Sequence, residues 1–228
     1  MKDLLQDLAA LGWSQHFTTQ LVTDDLRALV PARVLAVHRD GLDVAAPGFQ
    51  ARVPQRDAED EEDRATVGDF VLLDPAGRPR YLLARKSLFK RKAAGTGRRV
   101  QLIAANVDTL LVVSSCNQDF NVARLERYLA LAREAGVVPV VVLTKADLAE
   151  DVRDYGGAAA RLLPGLLVET LDARDPAAVA RLAPWCGKGQ TVALVGSSGV
   201  GKSTLVNTLT GSDGQAVAGI REDDARGR

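Results

Sequence analysis

The residues with the clearest chemical meaning are Gly196, Ser197, Ser198, Gly199, Val200, Gly201, Lys202, Ser203 and Thr204, a complete G-x-x-x-x-G-K-[ST] pattern. TVALV before it has the composition of a buried strand, and TLVNTL after it that of a helix start. The context matters because consecutive backbone N–H groups, with the positive end of a helix dipole behind them, must converge on one anion. Gly196, Gly199 and Gly201 let the backbone approach phosphate oxygens with no Cβ in the way. Lys202 is then expected to reach the β- and γ-phosphates of a nucleotide and Ser203 to ligate Mg²⁺ through its hydroxyl. The Thr204 N–H should lie near the α-phosphate.

A phosphate loop does not choose its base, but a second cluster can. Thr144, Lys145, Ala146 and Asp147 close the most apolar run of the chain and resemble the Asn-Lys-x-Asp motif of GTPases. A buried Asp147 carboxylate would accept two hydrogen bonds from guanine, one from the ring N–H and one from the exocyclic amine. Adenine offers neither donor there, so ATP would leave the carboxylate unpaired and be rejected. The aliphatic stem of Lys145 would pack across the ring. Thr144 stands where the motif has Asn, so a hydroxyl able to donate one bond replaces an amide with two donors.

These residues need elements to position them. The chain has 228 residues, 29 Lys+Arg against 29 Asp+Glu, and 46 % hydrophobic residues, which places it among ordinary globular proteins. Cys116 and Cys186 are too few for a four-ligand zinc site and have no C-x-x-C spacing. No secretory signal is legible, and the apolar run at 136–143 falls far short of the roughly 20 residues that span a bilayer. A cytoplasmic, membrane-free monomer is expected. Residues 1–30 carry apolar positions at three-to-four spacing and read as an N-terminal extension of one or two short helices broken near Gly12. From 31 to 86 the period changes to two. ARVLAVH, a turn at Asp40-Gly41, LDVAA, FQARVP, DFVLLD and RYLLA predict five strands of an OB-like barrel, with an SH3-like barrel as rival. Residues 87–100 read as a basic linker. From 101 to 228 buried Val/Leu runs alternate with helical segments, the grammar of an α/β parallel sheet. The predicted fold is thus an all-β OB-like barrel followed by a P-loop α/β domain.

The order of the motifs is unusual, because Asp147 precedes Gly196 whereas common GTPases carry the phosphate loop first. Sites in open α/β sheets lie at the carboxyl ends of strands wherever the chain starts, so a circularly permuted chain can build the same site. With the barrel, QLIAANVDTLLVVSS, DFNVARLERYL, LTKAD and GSSGVGKSTLVNTL, the chain after about residue 30 resembles the ribosome small-subunit-dependent GTPase A (RsgA) family. The resemblance implies a GTPase that binds GTP or GDP with Mg²⁺, contacts the small ribosomal subunit and its ribosomal RNA, and acts late in that subunit's maturation. It also implies a zinc-binding helical domain whose Zn²⁺ ligands are absent from this chain. ETLDA at 169–173 is similar to a weak form of the guanine-contacting loop. After Gly211 neither a Thr-containing Mg²⁺ loop nor an Asp-x-x-Gly strand follows, so the chain resembles the first two-thirds of a family member, incomplete at its C-terminus and crippled in hydrolysis. No attacking-water residue is assigned, and Glu222, Asp223 and Asp224 read as a solvated acidic tail rather than metal ligands.

Zero net charge hides local asymmetry. Residues 78–99 hold nine Lys/Arg and no acid, with Tyr81 and Phe89 interleaved. Arg85, Lys86, Lys90, Arg91, Lys92, Arg98 and Arg99 are the candidate RNA contacts, through phosphate neutralisation and base stacking. The acidic block at 57–63 reads as a mobile barrel loop, His16 and His38 as structural, and Asn121 and Arg124 as a helix start with no chemistry of their own. Two rival functions are a P-loop ATPase or kinase, and an RNA-binding barrel protein with an inactive nucleotide domain.

Overall fold

The computed structural model describes residues 2–58, 60–92 and 100–211. They form two compact units, one holding residues up to Val107 together with Lys188–Thr191, the other running from Asp108 to Gly187 and resuming at Val192.

The first unit is built on an antiparallel sheet of β1 (Val30–Val37), β2 (Leu42–Ala46), β3 (Phe49–Val53), β4 (Phe70–Leu73) and β5 (Pro79–Leu82), in the order β3-β2-β1-β4-β5. All five predicted strands are present, and β1 to β3 form the expected meander around Asp40-Gly41. Alternation puts Ala32, Val34, Leu42, Val44, Val53, Val71 and Leu73 on one apolar face. β4 is buried throughout, so its period of two is masked. Phe70 and Leu72, on its other face, pack with Phe17 and Leu83 and with partly buried Leu11, Trp13, Leu21, Leu26 and Leu29 of the N-terminal segment. That segment folds as three helices rather than one or two: α1 (Lys2–Ala10), α2 (Gln15–Thr18) and α3 (Asp24–Arg27). Thr23 supplies the extra start by accepting a hydrogen bond from the Leu26 N–H at 3.3 Å.

Where the sequence predicts a basic linker, β6 (Leu88–Lys92) pairs antiparallel with β7 (Val100–Ala105). Charge hides this strand, because its buried apolar anchor is Phe89, 1 % exposed, while Lys90 and Arg91 bond within the same unit. Lys90 Nζ donates to both carboxylate oxygens of Glu62 at 2.7 and 2.8 Å, and Glu61 accepts the Val100 N–H at 2.8 Å. Two residues of the acidic block thus hold the β6–β7 pair in place, Glu62 through a lysine of β6 and Glu61 through a backbone N–H of β7. His16 contacts the Ala84 carbonyl at 2.8 Å and His38 the Asp43 carboxylate at 2.7 Å, both structural roles.

The second unit has a parallel sheet in the order β10-β9-β8-β11, made of β8 (Thr109–Ser115), β9 (Val138–Thr144), β10 (Leu167–Thr170) and β11 (Val192–Val195). Every β8 residue is buried, as expected for a strand covered on both faces. The helices are α4 (Val122–Ala135), α5 (Val152–Ala160), α6 (Pro176–Val179) and α7 (Lys202–Thr210). Asn121 caps α4 by accepting the Arg124 N–H at 2.9 Å, and Gly136 ends it with φ of +69°. The core joins Leu111, Val113, Val140, Val142, Leu171, Leu182 and Leu205. Because β8 lies between β9 and β11, the carboxyl ends of those two strands flank one point, where ligands of open α/β sheets bind.

Candidate functional site

The phosphate loop leaves the end of β11 at Gly196. A Cβ there would run into the carbonyl oxygen of Val113 on β8, and φ is +149°, so glycine is required for the loop to turn beside its neighbour strand. Gly201, with φ of +96°, opens α7. Val200 turns its side chain into the core, 1 % exposed, leaving its backbone to the loop, while Ser198 and Gly199 are exposed. Lys202 Nζ lies 2.5 Å from both the Gly196 and the Ser197 carbonyl oxygens, bent over the loop. Ser203 and Thr204 are exposed on the first turn of α7. Ser203 presents a hard hydroxyl oxygen, and Mg²⁺ commonly takes one or two protein oxygens plus phosphates and water, so the donor chemistry fits this ion. Among the described residues no group of three or more His, Cys, Asp or Glu could hold a metal.

Arg124 is a residue whose place the sequence does not reveal. From the first turn of α4 its Nη1 donates to the Ser197 Oγ, putting a guanidinium under the loop, 73 residues away in sequence. The signal that could have found it is its position three residues after a capping Asn in the segment following β8.

At the end of β9, buried Thr144 reaches across to the phosphate loop. Its Oγ1 is 2.5 Å from the Val200 carbonyl oxygen and 3.0 Å from that of Ser114. One hydroxyl proton serves one of these at a time, so the motif's tie to the loop is made with a single bond. Replacing Thr144 by Val keeps the shape and removes the donor. This substitution is expected to lower the stability of the α/β unit by about 1–3 kcal/mol, the range for a buried acceptor left unpaired, measurable by urea unfolding.

Lys145 adopts φ of +56°, an uncommon conformation for a residue with a Cβ, and turns the chain into a short 3-10 segment, Ala146–Leu148. The half-buried Ala146 donates its N–H to the Leu171 carbonyl at 3.4 Å, joining this turn to the segment after β10. Asp147 departs from expectation. The sequence reading requires a buried carboxylate, whereas its side chain is 29 % exposed and its Oδ2 accepts a hydrogen bond from Arg174 Nη2 at 2.7 Å. Arg174 stands just past ETLDA. It also grips Asp172, Nε to Oδ1 and Nη2 to Oδ2 both at 3.1 Å, while Asp172 Oδ1 accepts the Arg174 N–H at 2.9 Å. The Arg174 side chain, then its backbone N–H, holds the Asp172 carboxyl below the usual range.

The RNA candidates fare unequally. Arg85 is directed inward: Nε and Nη2 bind the two oxygens of Asp69 at 2.8 Å, and Nη1 and Nη2 donate to the carbonyls of Glu62 and Arg64 at 2.6 and 2.7 Å. Sequence spacing counts it with the surface charges because nothing local distinguishes a paired arginine from a solvated one. Lys86 sits 5.8 Å from the Phe17 ring centroid, Lys90 pairs with Glu62, and Arg91 donates to Gln101 at 3.0 and 2.8 Å. Lys92 ends β6. Arg98 and Arg99, and the acidic tail with Glu222, Asp223 and Asp224, lie outside the described residues.

A glycine-rich loop between strand and helix, tied through Thr144 to a Thr-Lys-x-Asp turn that precedes it in the chain, is the arrangement expected of a P-loop protein of circularly permuted order. The RsgA GTPase family matches residues 82–228, and this chain belongs to it. The Small ribosomal subunit biogenesis GTPase RsgA of Mesorhizobium japonicum is 53 % identical over 228 residues, covering 97 % of this chain and 64 % of the relative. RsgA 2 of Vibrio vulnificus is 48 % identical over 221 residues, 97 % of this chain and 62 % of that protein. The chain therefore spans slightly under two-thirds of these relatives. Among solved structures, YjeQ from Thermotoga maritima superposes with a TM-score of 0.65 at 21 % identity, over 79 % of this chain and 65 % of that one. YloQ, described as a circularly permuted GTPase, gives 0.59 at 22 % identity, over 81 % and 66 %. No described helix is long and apolar enough to cross a membrane.

Proposed function

We propose that this chain binds GTP and GDP, hydrolyses GTP, and serves the maturation of the small ribosomal subunit. The observation that carries the reading is the Thr144 bond to the Val200 carbonyl, which ties the turn of Thr144 to Asp147 to the loop of Gly196 to Thr204. Names of relatives at 53 % and 48 % identity supply the biological setting. In this reading the N–H groups of Ser197 to Thr204 and the Lys202 ammonium hold the phosphates, and Lys145 and Asp147 take the guanine. The Ser203 hydroxyl would hold Mg²⁺, which neutralises charge on the β- and γ-phosphates when bound. The chemistry is phosphoryl transfer to water, driven by positioning and charge neutralisation.

The antiparallel sheet of residues 31–86 is read as an OB-like barrel that meets ribosomal RNA. Lys86, Lys90, Arg91 and Lys92, with Arg98 and Arg99, form the RNA-facing set. The Lys90–Glu62 pair is 39 % and 38 % exposed, weak enough for a nucleic-acid phosphate to replace the glutamate. A cytoplasmic monomer remains part of the proposal.

Displacement of fluorescent GDP, in Mg²⁺, by unlabelled GDP, GTP and ATP tests the nucleotide reading. Guanine nucleotides are expected to displace it and ATP to do so poorly. Equal displacement by ATP would point to a P-loop ATPase or kinase instead.

A further inference from the structure

Arg174 makes one contact that the phosphate and base motifs do not explain, its bond to the carboxylate expected to read guanine. The geometry divides its donors unevenly. Nε and one hydrogen of Nη2 face Asp172, and the second hydrogen of Nη2 faces Asp147 Oδ2. Asp172 is thus the anchor, itself fixed by the Arg174 backbone N–H, and Asp147 receives a single N–H. The arginine side chain is 66 % exposed and Asp147 29 %, so the bond between them is open to water and to a ligand.

Guanine presents to a carboxylate a ring N–H and an exocyclic N–H side by side, the same grouping of donors that a guanidinium carries. We propose that Arg174 competes with the guanine base for the Asp147 carboxylate, and so sets both the affinity and the base selectivity of the site. This rests on the guanine reading of Asp147 above. Guanine brings two donors against one and wins, while Arg174 keeps its charge paired on Asp172. Adenine brings none and leaves the Asp147–Arg174 bond in place, so an adenine nucleotide strands no unpaired carboxylate. The penalty that normally excludes ATP is thereby reduced, and guanine must give up part of its gain to displace the arginine. Apparent guanine affinity falls by the fraction of molecules in which Asp147 is accessible.

The test uses the same chain with Arg174→Ala, Arg174→Lys and Asp147→Asn, titrated with fluorescent GDP and competed with GDP, ADP and xanthosine diphosphate. Arg174→Ala is expected to bind GDP about two- to five-fold tighter, the range set by an exposed ion pair, and ADP more weakly than the parent does, because adenine then leaves the Asp147 carboxylate without the arginine. Arg174→Lys, which loses the fork on Asp172, should fall between. GDP binding that is unchanged, weaker or undetectable in Arg174→Ala, or an equal gain for ADP, overturns the proposal. Asp147→Asn examines the underlying reading separately. An amide there should shift preference from GDP to xanthosine diphosphate, whose carbonyl replaces the amine. Failure of that shift removes the guanine reading and Arg174's role with it. The shift without any gain in Arg174→Ala removes the competition alone.

Discussion

Replacing Arg85 by alanine is expected to destabilise the β-sheet unit by about 3–5 kcal/mol, the range for breaking a buried ion pair by removing one partner. The Asp69 side chain is 0 % exposed and that of Arg85 13 %. Without the guanidinium the carboxylate keeps the Thr66 N–H at 2.8 Å but loses both charge-assisted bonds, and the Glu62 and Arg64 carbonyls lose their donors. Arg85→Lys should recover little, since an ammonium cannot span two carboxylate oxygens and two carbonyls as a planar fork does. Arg78→Ala is the comparison: its pair with Asp74 has an arginine side chain 64 % exposed and is worth at most about 1 kcal/mol. Thermal unfolding followed by circular dichroism measures both. Arg85→Ala that unfolds like the parent yet binds RNA less tightly would return Arg85 to the RNA surface.

Replacing Lys202 by alanine is expected to weaken GDP and GTP binding by about 2–4 kcal/mol, roughly 30- to 1,000-fold, as for loss of one partner of a hydrogen-bonded charge pair. The ammonium lies against the Gly196 and Ser197 carbonyls, at the mouth of the loop where a phosphate oxygen would enter. The helix and loop glycines would persist in the variant, so the residual affinity measures what backbone N–H groups and the dipole supply by themselves. Fluorescent GDP titration of parent and variant reads the difference. An affinity within three-fold of the parent would mean that the lysine does not reach the phosphates.

Both expectations concern charges, and the two were unequally legible. GSSGVGKST could be read as a strand-loop-helix cradle because its demands are local: Gly196 at φ of +149° and Gly201 at +96° need glycine whatever surrounds them. The five strands of the antiparallel sheet and the parallel α/β half were likewise legible, since periods of two and continuous Val/Leu runs report which faces meet a core. The β6 strand escaped because LFKRK carries one buried anchor among charges, and its partner Glu62, like the Glu61 that takes the Val100 N–H of β7, comes from a block that reads as loop.

Partner choice among the charged residues was settled only by tertiary packing. Arg85 finds Asp69 across 16 residues, Arg174 finds Asp147 across 27, and Arg124 finds Ser197 across 73. An arginine carries the same five donors wherever it stands, and no local pattern tells which acceptor the chain will bring to it. Composition and spacing therefore picked out the glycine-rich strand-to-helix loop, because backbone geometry imposes its glycines. Which carboxylates would be buried, shared or already engaged depended on contacts between distant segments, and those exist only once the sheets have assembled.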